Sequence, residues 1–318
     1  MFRGRSWGVA VVVLVVATAG GYLVYAVTRD NGTAAPPGCR VSLDNRTYTL
    51  SPEQTSHATT IAAVGKRMGM PDHAVSVALA AALQESKLQN LQSGDRDSLG
   101  LFQQRPSQGW GTAEEILDPV YSINAFYDAL EQVDGFEDME ITEAAQRVQH
   151  SAYPSAYADH EEDARALASA LTGYSPATFS CDLDGGAPSA DEDLLDSGLT
   201  ARADAVREDL LTRYGDLDLG GFAPGGVTTG HMEGSAHYEG RAIDVFFRPV
   251  NDANKTRGWA VAHYLVGNAA RLDIRTVIFD DRIWTAGRDG WRDYDPPESS
   301  GSRVVLEHRD HVHVDVFG

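Results

Sequence analysis

The hydrophobic pattern divides the chain into three stretches of different character. Residues 8–27 form an uncharged, almost wholly apolar run. Between 51 and 173, apolar positions recur at helical spacing and are interrupted by short polar turns. A segment rich in Gly, Pro and acidic residues follows at 182–198, without sustained periodicity, and is typical of a linker. Beyond it the pattern predicts helices that flank short β-rich runs.

The helical stretch carries a recognisable helix start and one buried helix. Ser51 is placed to act as an N-cap, with Pro52 at the first helical position and Glu53 close behind. Residues 71–86 are apolar almost all round, which predicts a buried helix, and Glu85 stands at its end.

The last stretch predicts an α+β domain with a small sheet. Helices are expected at 199–214 and 252–272, and β-rich runs at 241–247, 275–286 and 303–317.

The apolar run at 8–27 has about 20 residues, the length of a helix that spans a bilayer. Arg3 and Arg5 precede it, which favours a cytoplasmic start and an extracellular remainder. We therefore predict a membrane anchor within residues 1–29 and a single-pass protein of the cell membrane. A cleaved signal peptide, and hence a secreted protein, is the alternative, because residues 24–26 satisfy a small-residue cleavage rule.

Cysteine usage and charge agree with an exported protein that does not bind nucleic acid. The two cysteines, Cys39 and Cys181, predict one disulfide that ties the ends of the first domain together. The net charge of -20 argues against a nucleic-acid partner, which requires clustered Lys and Arg.

The chain ends in "RDHVHVDVFG", in which His311, His313 and Asp315 share one face of a predicted strand. Upstream, His237 precedes Asp244 by seven residues, with Gly240 between them for a tight turn. A catalytic zinc site needs three protein ligands and one open position, and these two residues with a histidine of the last strand supply three.

This pattern resembles the zinc D-alanyl-D-alanine carboxypeptidases and related peptidoglycan peptidases. "SAHYEGRAID" matches their S-x-H-x-x-G-x-A-x-D motif, and "DHVHV" matches their terminal H-x-H strand. The resemblance implies a hedgehog/DD-peptidase fold in which Zn²⁺ is bound by His237, Asp244 and His313. Zinc would lower the pKa of its water to about 7 and polarise the scissile carbonyl, so amide hydrolysis is the expected reaction.

The resemblance also implies catalytic residues beside the metal. His311 is similar to the family's active-site histidine that does not bind metal, and Asp310 is a candidate general base, with Glu307 as a weaker alternative. In a regular strand Asp310 would point away from His313, so its role requires a turn or bulge there. Arg241, inside the motif, is either a ligand for a substrate carboxylate or a surface cation. Aromatic residues expected as groove walls or as core are Trp284, Trp291 and Tyr294.

The first domain resembles the lysozyme-like lytic transglycosylases, whose pattern is E-S, then a serine, then G-L-x-Q and a proline. The matching positions are Glu85-Ser86, Ser98, Gly100-Leu101, Gln103 and Pro106. The resemblance implies that Glu85 is the catalytic acid, because a carboxylic acid in apolar surroundings can keep its proton for a leaving glycosidic oxygen. Residues implied to line the glycan cleft are Ser98 and Gln103, with Tyr153 and Tyr157 on the far wall.

Two departures from that pattern are visible. The family's A-Y-N-A-G segment is absent, and Arg105 stands where an apolar residue is common. A hydrolysing glycosidase also needs a second carboxylate, for which only Asp95 and Asp97 are near. Lytic transglycosylases need a single acid, so this chain fits them better.

Together the two resemblances predict a bifunctional peptidoglycan hydrolase, acting on glycan strands and stem peptides. Its parts would be the anchor or signal peptide, a mostly α lysozyme-like domain at 39–181, the linker at 182–198 and a zinc peptidase-like α+β domain at 199–318. The alternative is a wall-binding adaptor with a structural zinc site and a degenerate lysozyme-like domain, which would not need Glu85, His311 or Asp310.

Overall fold

The computed structural model describes residues 13–18, 21–26, 38–43, 46–151, 155–183, 185–186, 193–296, 298 and 301–318. The chain separates into two units, Met1–Pro36 and Pro37–Gly318.

The first unit contains an antiparallel strand pair, so the predicted transmembrane helix is wrong. Strand β1 (Val13–Thr18) pairs with β2 (Gly21–Ala26). The run is rich in β-branched valine and is interrupted by two glycines, a composition that favours strands and a turn over one long helix. Within the described part of the chain, no helix combines the length and apolar character that crossing a bilayer requires. Arg3 and Arg5 lie outside the described residues.

The second unit opens with a small sheet that the disulfide crosslinks. Strands β3 (Gly38–Leu43), β4 (Arg46–Leu50) and β5 (Phe179–Asp182) are antiparallel in the order β4-β3-β5. Cys39 lies directly opposite Cys181 in this sheet, and the two form the predicted disulfide.

Among the described residues, six α-helices lie between β4 and β5. They are α1 (Pro52–Arg67), α2 (Asp72–Ser86), α3 (Ala113–Leu117), α4 (Pro119–Glu131), α5 (Ile141–Gln149) and α6 (Glu161–Leu171). As predicted, Ser51 caps α1, and Gln54 completes a capping box with it. Helix α2 is buried along most of its length and packs against α5 and α6, which confirms the buried helix.

The remainder is a six-stranded antiparallel sheet with helices. In chain order the elements are α7 (Ala201–Tyr214), β6 (Leu219–Gly220), β7 (Ala242–Phe246), α8 (Asp252–Gly267), β8 (Ile274–Phe279), β9 (Arg282–Thr285), β10 (Arg292–Asp293), α9 (Arg303–Leu306) and β11 (His311–Val316). The strand order is β10-β9-β8-β11-β7-β6, so the last strand lies in the middle of the sheet.

The β-rich run at 275–286 is confirmed, and the run at 303–317 is confirmed only from His311 onward. The run at 275–286 is a hairpin, because Asp280 and Asp281 have positive φ and turn the chain between β8 and β9. The run at 303–317 begins with the short helix α9 and becomes a strand only at His311. His308, with φ 52°, lies between the two.

The helical and the sheet-containing parts share one hydrophobic core. Trp284 donates its indole N–H to the carbonyl of Cys181, and Trp291 donates to Phe179. His263 of α8 also packs against Phe179. Both tryptophans therefore pack against β5 and not along a groove. The boundary at 182–198 stays a prediction, since that segment is described only in part.

The fold class is accordingly corrected. Across the described residues the chain combines nine α-helices with three antiparallel sheets, and none of those helices can span a membrane.

Candidate functional site

A cavity of about 650 Å³ opens beside the six-stranded sheet. Strands β7 and β11 contribute Asp244, His311 and His313 to its lining. The loop before His237 supplies further lining through His231, Met232 and Glu233. Tyr294, Gly301, Val305, Leu306 and His308 complete it.

Strand register and one turn bring the predicted metal ligands together. His313 of β11 lies directly opposite Asp244 of β7. His237 comes from a single 3₁₀ turn, Ala236–Glu239, which Gly240 ends with φ 66° before β7 begins. The predicted tight turn at Gly240 is thus present, and all three side chains reach the same point of the cavity.

The distances among the three groups suit one small cation. His237 Nε2 is 3.1 Å from His313 Nδ1 and 3.3 Å from Asp244 Oδ1, and His313 Nδ1 is 3.1 Å from Asp244 Oδ1. Ligands held at 2.0–2.1 Å by a tetrahedral zinc ion are about 3.3 Å apart. The donor set of two imidazoles and one carboxylate also suits zinc, so the residues fit the implied ion.

Neighbouring groups orient each imidazole of this set. His237 Nδ1 donates to the carbonyl of Gly221 at 2.8 Å, which leaves Nε2 facing the other ligands. His313 has the opposite arrangement: Nδ1 faces the ligands, and Nε2 lies 3.6 Å from Asp315 Oδ2. Asp315 is in turn held by Arg275 Nε at 2.7 Å.

The ligand group is buried and electrostatically coupled. Burial alone would raise the pKa of Asp244, but hydrogen bonds and charge from His237 and His313 outweigh it and hold that pKa well below its usual range. Burial would lower the pKa of His313, yet Asp244 and Asp315 raise it to about 9. A bound cation requires the neutral imidazole, so metal binding would displace this proton.

A further histidine belongs to this cluster. Ligand atoms of His231, His237 and Asp244 all lie within 4.8 Å of one another, and this group could hold a metal ion. The predicted third ligand is a histidine of the last strand, and no motif pointed to His231. Its proximity comes from the loop that folds back over His237, which no spacing rule indicates.

Beside the ligands, His311 is held by Asp310, which in turn pairs with Arg248. Asp310 Oδ1 lies 2.8 Å from His311 Nδ1, and Arg248 binds Asp310 Oδ2 at 2.7–2.8 Å. The far nitrogen, His311 Nε2, lies 3.8 Å from Asp244 Oδ1 and so faces the ligand group. Asp310 is buried, which would raise its pKa, but His311 and Arg248 lower it below the usual range.

This arrangement resolves the geometric difficulty with Asp310. The residue precedes β11, so strand alternation does not fix its direction. Both of its oxygens are engaged, by His311 and by Arg248, and the carboxylate is therefore suited to orienting His311. Arg248, which sequence reasoning missed, stacks on Phe246 with 4.1 Å from Cζ to the ring centre.

Two other predicted residues have partners elsewhere. Arg241 binds Glu239 and donates to the carbonyl of Val316 at 2.9 Å. Glu307 is paired with Arg309 at 2.6 Å and with Arg303. Neither is among the residues that line the cavity.

His308 lines the cavity although no motif pointed to it. Its ring centre lies 4.7 Å from that of His311 and 5.8 Å from that of His313. Burial, together with the charges of these two neighbours, lowers the pKa of His308 to about 3. The side chain is therefore neutral around pH 7.

In the helical part, Glu85 lies half-buried near the end of α2. The hydroxyl of Tyr157 donates to Glu85 Oε1 at 2.5 Å. Burial, and then this contact, raise the pKa of Tyr157, so the phenol remains a donor. Tyr157 is fully buried and positions the carboxylate, while Tyr153 lies outside the described residues.

The segment after α2 is tied back to that helix. Ser86 Oγ donates to the carbonyl of Leu101 at 2.7 Å. Ser98 and Gln103 both adjoin Gly94, since a Cβ placed there would collide with the Gln103 amide and lie 3.2 Å from Ser98 Cβ. The two residues predicted to line a cleft are thus neighbours of one another.

Arg105 has a clear role in this segment. Its Nε binds Asp97 Oδ1 at 2.6 Å, and the backbone N–H of Ser107 donates to Asp97 Oδ2. Hydrogen bonds from Ser107, then Arg105, hold the pKa of Asp97 well below its usual range. Asp97 therefore supports the turn, and Asp95 is exposed.

A sequence profile of the family described as "VldE, C-terminal domain" matches residues 195–304. This match covers well under half of the chain. No curated protein matches the sequence.

Proposed function

We propose that residues 199–318 form a zinc-dependent peptidase that hydrolyses amide bonds in the stem or cross-link peptides of peptidoglycan. The main support is the mutual spacing of 3.1–3.3 Å among His237, Asp244 and His313. Three ligands from two strands and a turn, with a separate histidine beside them, are typical of a catalytic zinc site.

The roles of the chain's own groups follow from their contacts. When bound, zinc would supply a Lewis acid and a water of lowered pKa. Asp310 keeps the proton on His311 Nδ1, because its carboxylate accepts there. His311 Nε2 is then a free acceptor facing the ligand group, suited to moving a proton during amide cleavage.

Arg248 supplies positive charge at the edge of the same cavity. Its side chain is 52% exposed while two of its nitrogens hold Asp310. This placement suits an interaction with a carboxylate of the substrate, which is one of the two roles predicted for Arg241.

A second activity, cleavage of the glycan strand, rests on Glu85. The carboxylate is half-buried and aligned by Tyr157, and Ser98 and Gln103 adjoin each other in the segment that follows. One positioned acid, with Asp97 occupied by Arg105 and Ser107, suits a lytic transglycosylase better than a two-carboxylate hydrolase.

The proposed site of action is outside the cytoplasm. The Cys39–Cys181 disulfide supports this placement, because such bonds persist in oxidising compartments. Peptidoglycan, with its glycan strands and stem peptides, is the proposed substrate.

Digestion of purified peptidoglycan by the full chain tests both activities. We expect Glu85→Gln to abolish release of anhydro-sugar products while peptide products persist. We expect His237→Ala to abolish release of peptide products and stoichiometric zinc while the sugar products persist. Mass spectrometry of the released fragments measures both, and each variant serves as the folding control for the other activity.

Glu131→Gln, at an exposed position near the end of α4, is the matched control for Glu85→Gln and should digest like the wild type. If both active-site variants released the same fragments as the wild type, the enzyme proposal would be wrong and a wall-binding adaptor would remain.

A further inference from the structure

His231 lies on a loop that folds over the metal-ligand cluster. Its ring stacks on that of His237, with 3.9 Å between centres and 19° between planes. Its backbone is held at both ends by one hydroxyl: the N–H donates to Tyr238 Oη at 3.0 Å, and that hydroxyl donates to the carbonyl of His231. The loop therefore presents this imidazole to the cluster.

His231 lies almost close enough to His237 and Asp244 to bind the same ion as they do. Its ligand atom lies within 4.8 Å of those of His237 and Asp244. Two ligands of one tetrahedral zinc ion lie about 3.3 Å apart, so a shift of no more than about 1.5 Å, with rotation of the ring, brings His231 into the coordination sphere.

The loop has room for that shift. Gly230 and Gly234 flank His231 with φ 96° and 76°, and a Cβ at either position would meet no heavy atom within 4 Å. The space on the Cβ side of both glycines is therefore open. His231 itself is half-buried.

From this geometry we infer that His231 is a fourth protein ligand of the zinc ion, which makes the site a closed N₃O set in the resting protein. The inference rests on the proposed zinc site. A catalytic zinc keeps one position open, and His231 fills that position until the loop withdraws. The loop 230–234 is thus a latch on the peptidase, and substrate that enters the cavity would have to displace it.

Zinc release from the full-length protein tests the latch. We expect His231→Ala to speed transfer of zinc to a competing chelator at least about 10-fold, because loss of even an outer partner of a ligand typically costs about 10–100-fold in metal affinity. Met232→Ala, at the exposed neighbouring position, is the matched loop control and should leave the release rate within about twofold of the wild type. X-ray absorption should count three imidazoles per zinc in the wild type and two in His231→Ala.

Peptide release provides the second measurement. Because His231 occupies the position that catalysis needs, His231→Ala should digest stem peptides faster than the wild type at saturating zinc. Tyr238→Phe, which removes both hydrogen bonds to the backbone of His231, should also speed zinc release and peptide digestion.

Three other outcomes would each contradict a different part of the proposal. Unchanged zinc release in His231→Ala, with one zinc still bound by the wild type, would overturn the fourth ligand and leave the proposed peptidase intact. Faster zinc release with slower digestion would overturn the latch. Absence of stoichiometric zinc from the wild type would overturn the proposed function itself.

Discussion

At the scale of residues, the H-x-H sequence places two imidazoles side by side and gives each its own carboxylate. His311 is backed by Asp310, which precedes the strand, and His313 by Asp315, two residues further along it. The carboxylates differ in what they orient: Asp310 directs a histidine outside the ligand set, whereas Asp315 directs a ligand. This difference can be measured.

We expect Asp310→Asn to lower kcat for peptide release about 100-fold or more while zinc affinity changes little. An amide has one accepting oxygen where the carboxylate has two, so it cannot accept from both His311 and Arg248. The tautomer and orientation of His311 are then lost. Steady-state kinetics on a soluble stem-peptide substrate, with zinc titrations on the same preparations, gives both values.

Asp315→Asn is the matched variant on the other side of the strand. It should weaken zinc binding about 10–100-fold and leave kcat at saturating zinc near that of the wild type. Equal losses of kcat and zinc affinity in both variants would show that the two carboxylates do not have separate roles.

The sequence alone could predict His237, Asp244 and His313 as a set, because the motif spacing and the strand period bring them together. It could not identify Arg248 or His231. Arg248 reaches Asp310 only because β7 and β11 are paired, and His231 reaches His237 only through a loop whose path depends on Tyr238. Both contacts join segments whose relation is set by the tertiary fold.

At the scale of elements, the ligand geometry depends on the backbone that follows β6. Gly221, with φ 79°, carries the carbonyl that holds His237 Nδ1. A Cβ at this position would lie 2.4 Å from a ring carbon of His237 and 3.1 Å from Asp244 Oδ2. The residue that follows β6 therefore packs so closely against His237 and Asp244 that only glycine fits there.

We predict that Gly221→Ala weakens zinc binding at least about 10-fold, because the methyl group displaces His237 from the position shared with Asp244 and His313. Competition with a chromophoric chelator measures the loss. Gly225→Ala is the matched control, since Gly225 has a similar φ of 81° but a Cβ there would meet nothing within 4 Å. Similar losses in both variants would attribute the effect to backbone strain and not to His237.

Element predictions succeeded where local chemistry was unambiguous. The N-cap at Ser51 and the buried helix 71–86 follow from nearest-neighbour signals. The membrane-helix prediction failed because an apolar run is compatible with either state: the valine-rich run at 8–27 forms strands within its described part. The β-rich run at 275–286 is confirmed, and it turns at Asp280 and Asp281 to form a hairpin.

At the scale of the whole molecule, stability depends on α8, which lies between the helical part and the six-stranded sheet. His263 of this helix is fully buried, and its Nδ1 donates to the carbonyl of Ala170 in α6. Within the described residues its Nε2 has no hydrogen-bond partner. Burial lowers the pKa of His263 to about 4.

The protein should therefore lose stability as the pH falls. In the unfolded chain His263 has a pKa near 6.5, whereas in the folded protein its pKa is about 4. The contribution of the neutral His263 to the free energy of unfolding is therefore complete above pH 6.5 and is lost as the pH falls from 6.5 to 4. The full loss is roughly 3 kcal/mol of unfolding free energy. Urea unfolding at pH 7 and pH 4.5 measures it.

His263→Gln, which keeps a donor but does not titrate, should be less stable than the wild type at pH 7 and lose less stability on acidification. Because the metal-ligand histidines titrate equally in both proteins, the difference between the two slopes isolates His263. Parallel pH profiles would contradict the assignment.

The indole contacts of Trp284 and Trp291 with the carbonyls of Cys181 and Phe179 also bear on how such a chain could arise. Domains that recombine freely between proteins are normally joined by surfaces that tolerate new neighbours. Here, each part provides hydrogen-bond acceptors or donors that the other satisfies. Moving either part into an unrelated protein would leave these polar groups without hydrogen-bond partners. Recombination between genes should therefore have transferred the two parts together.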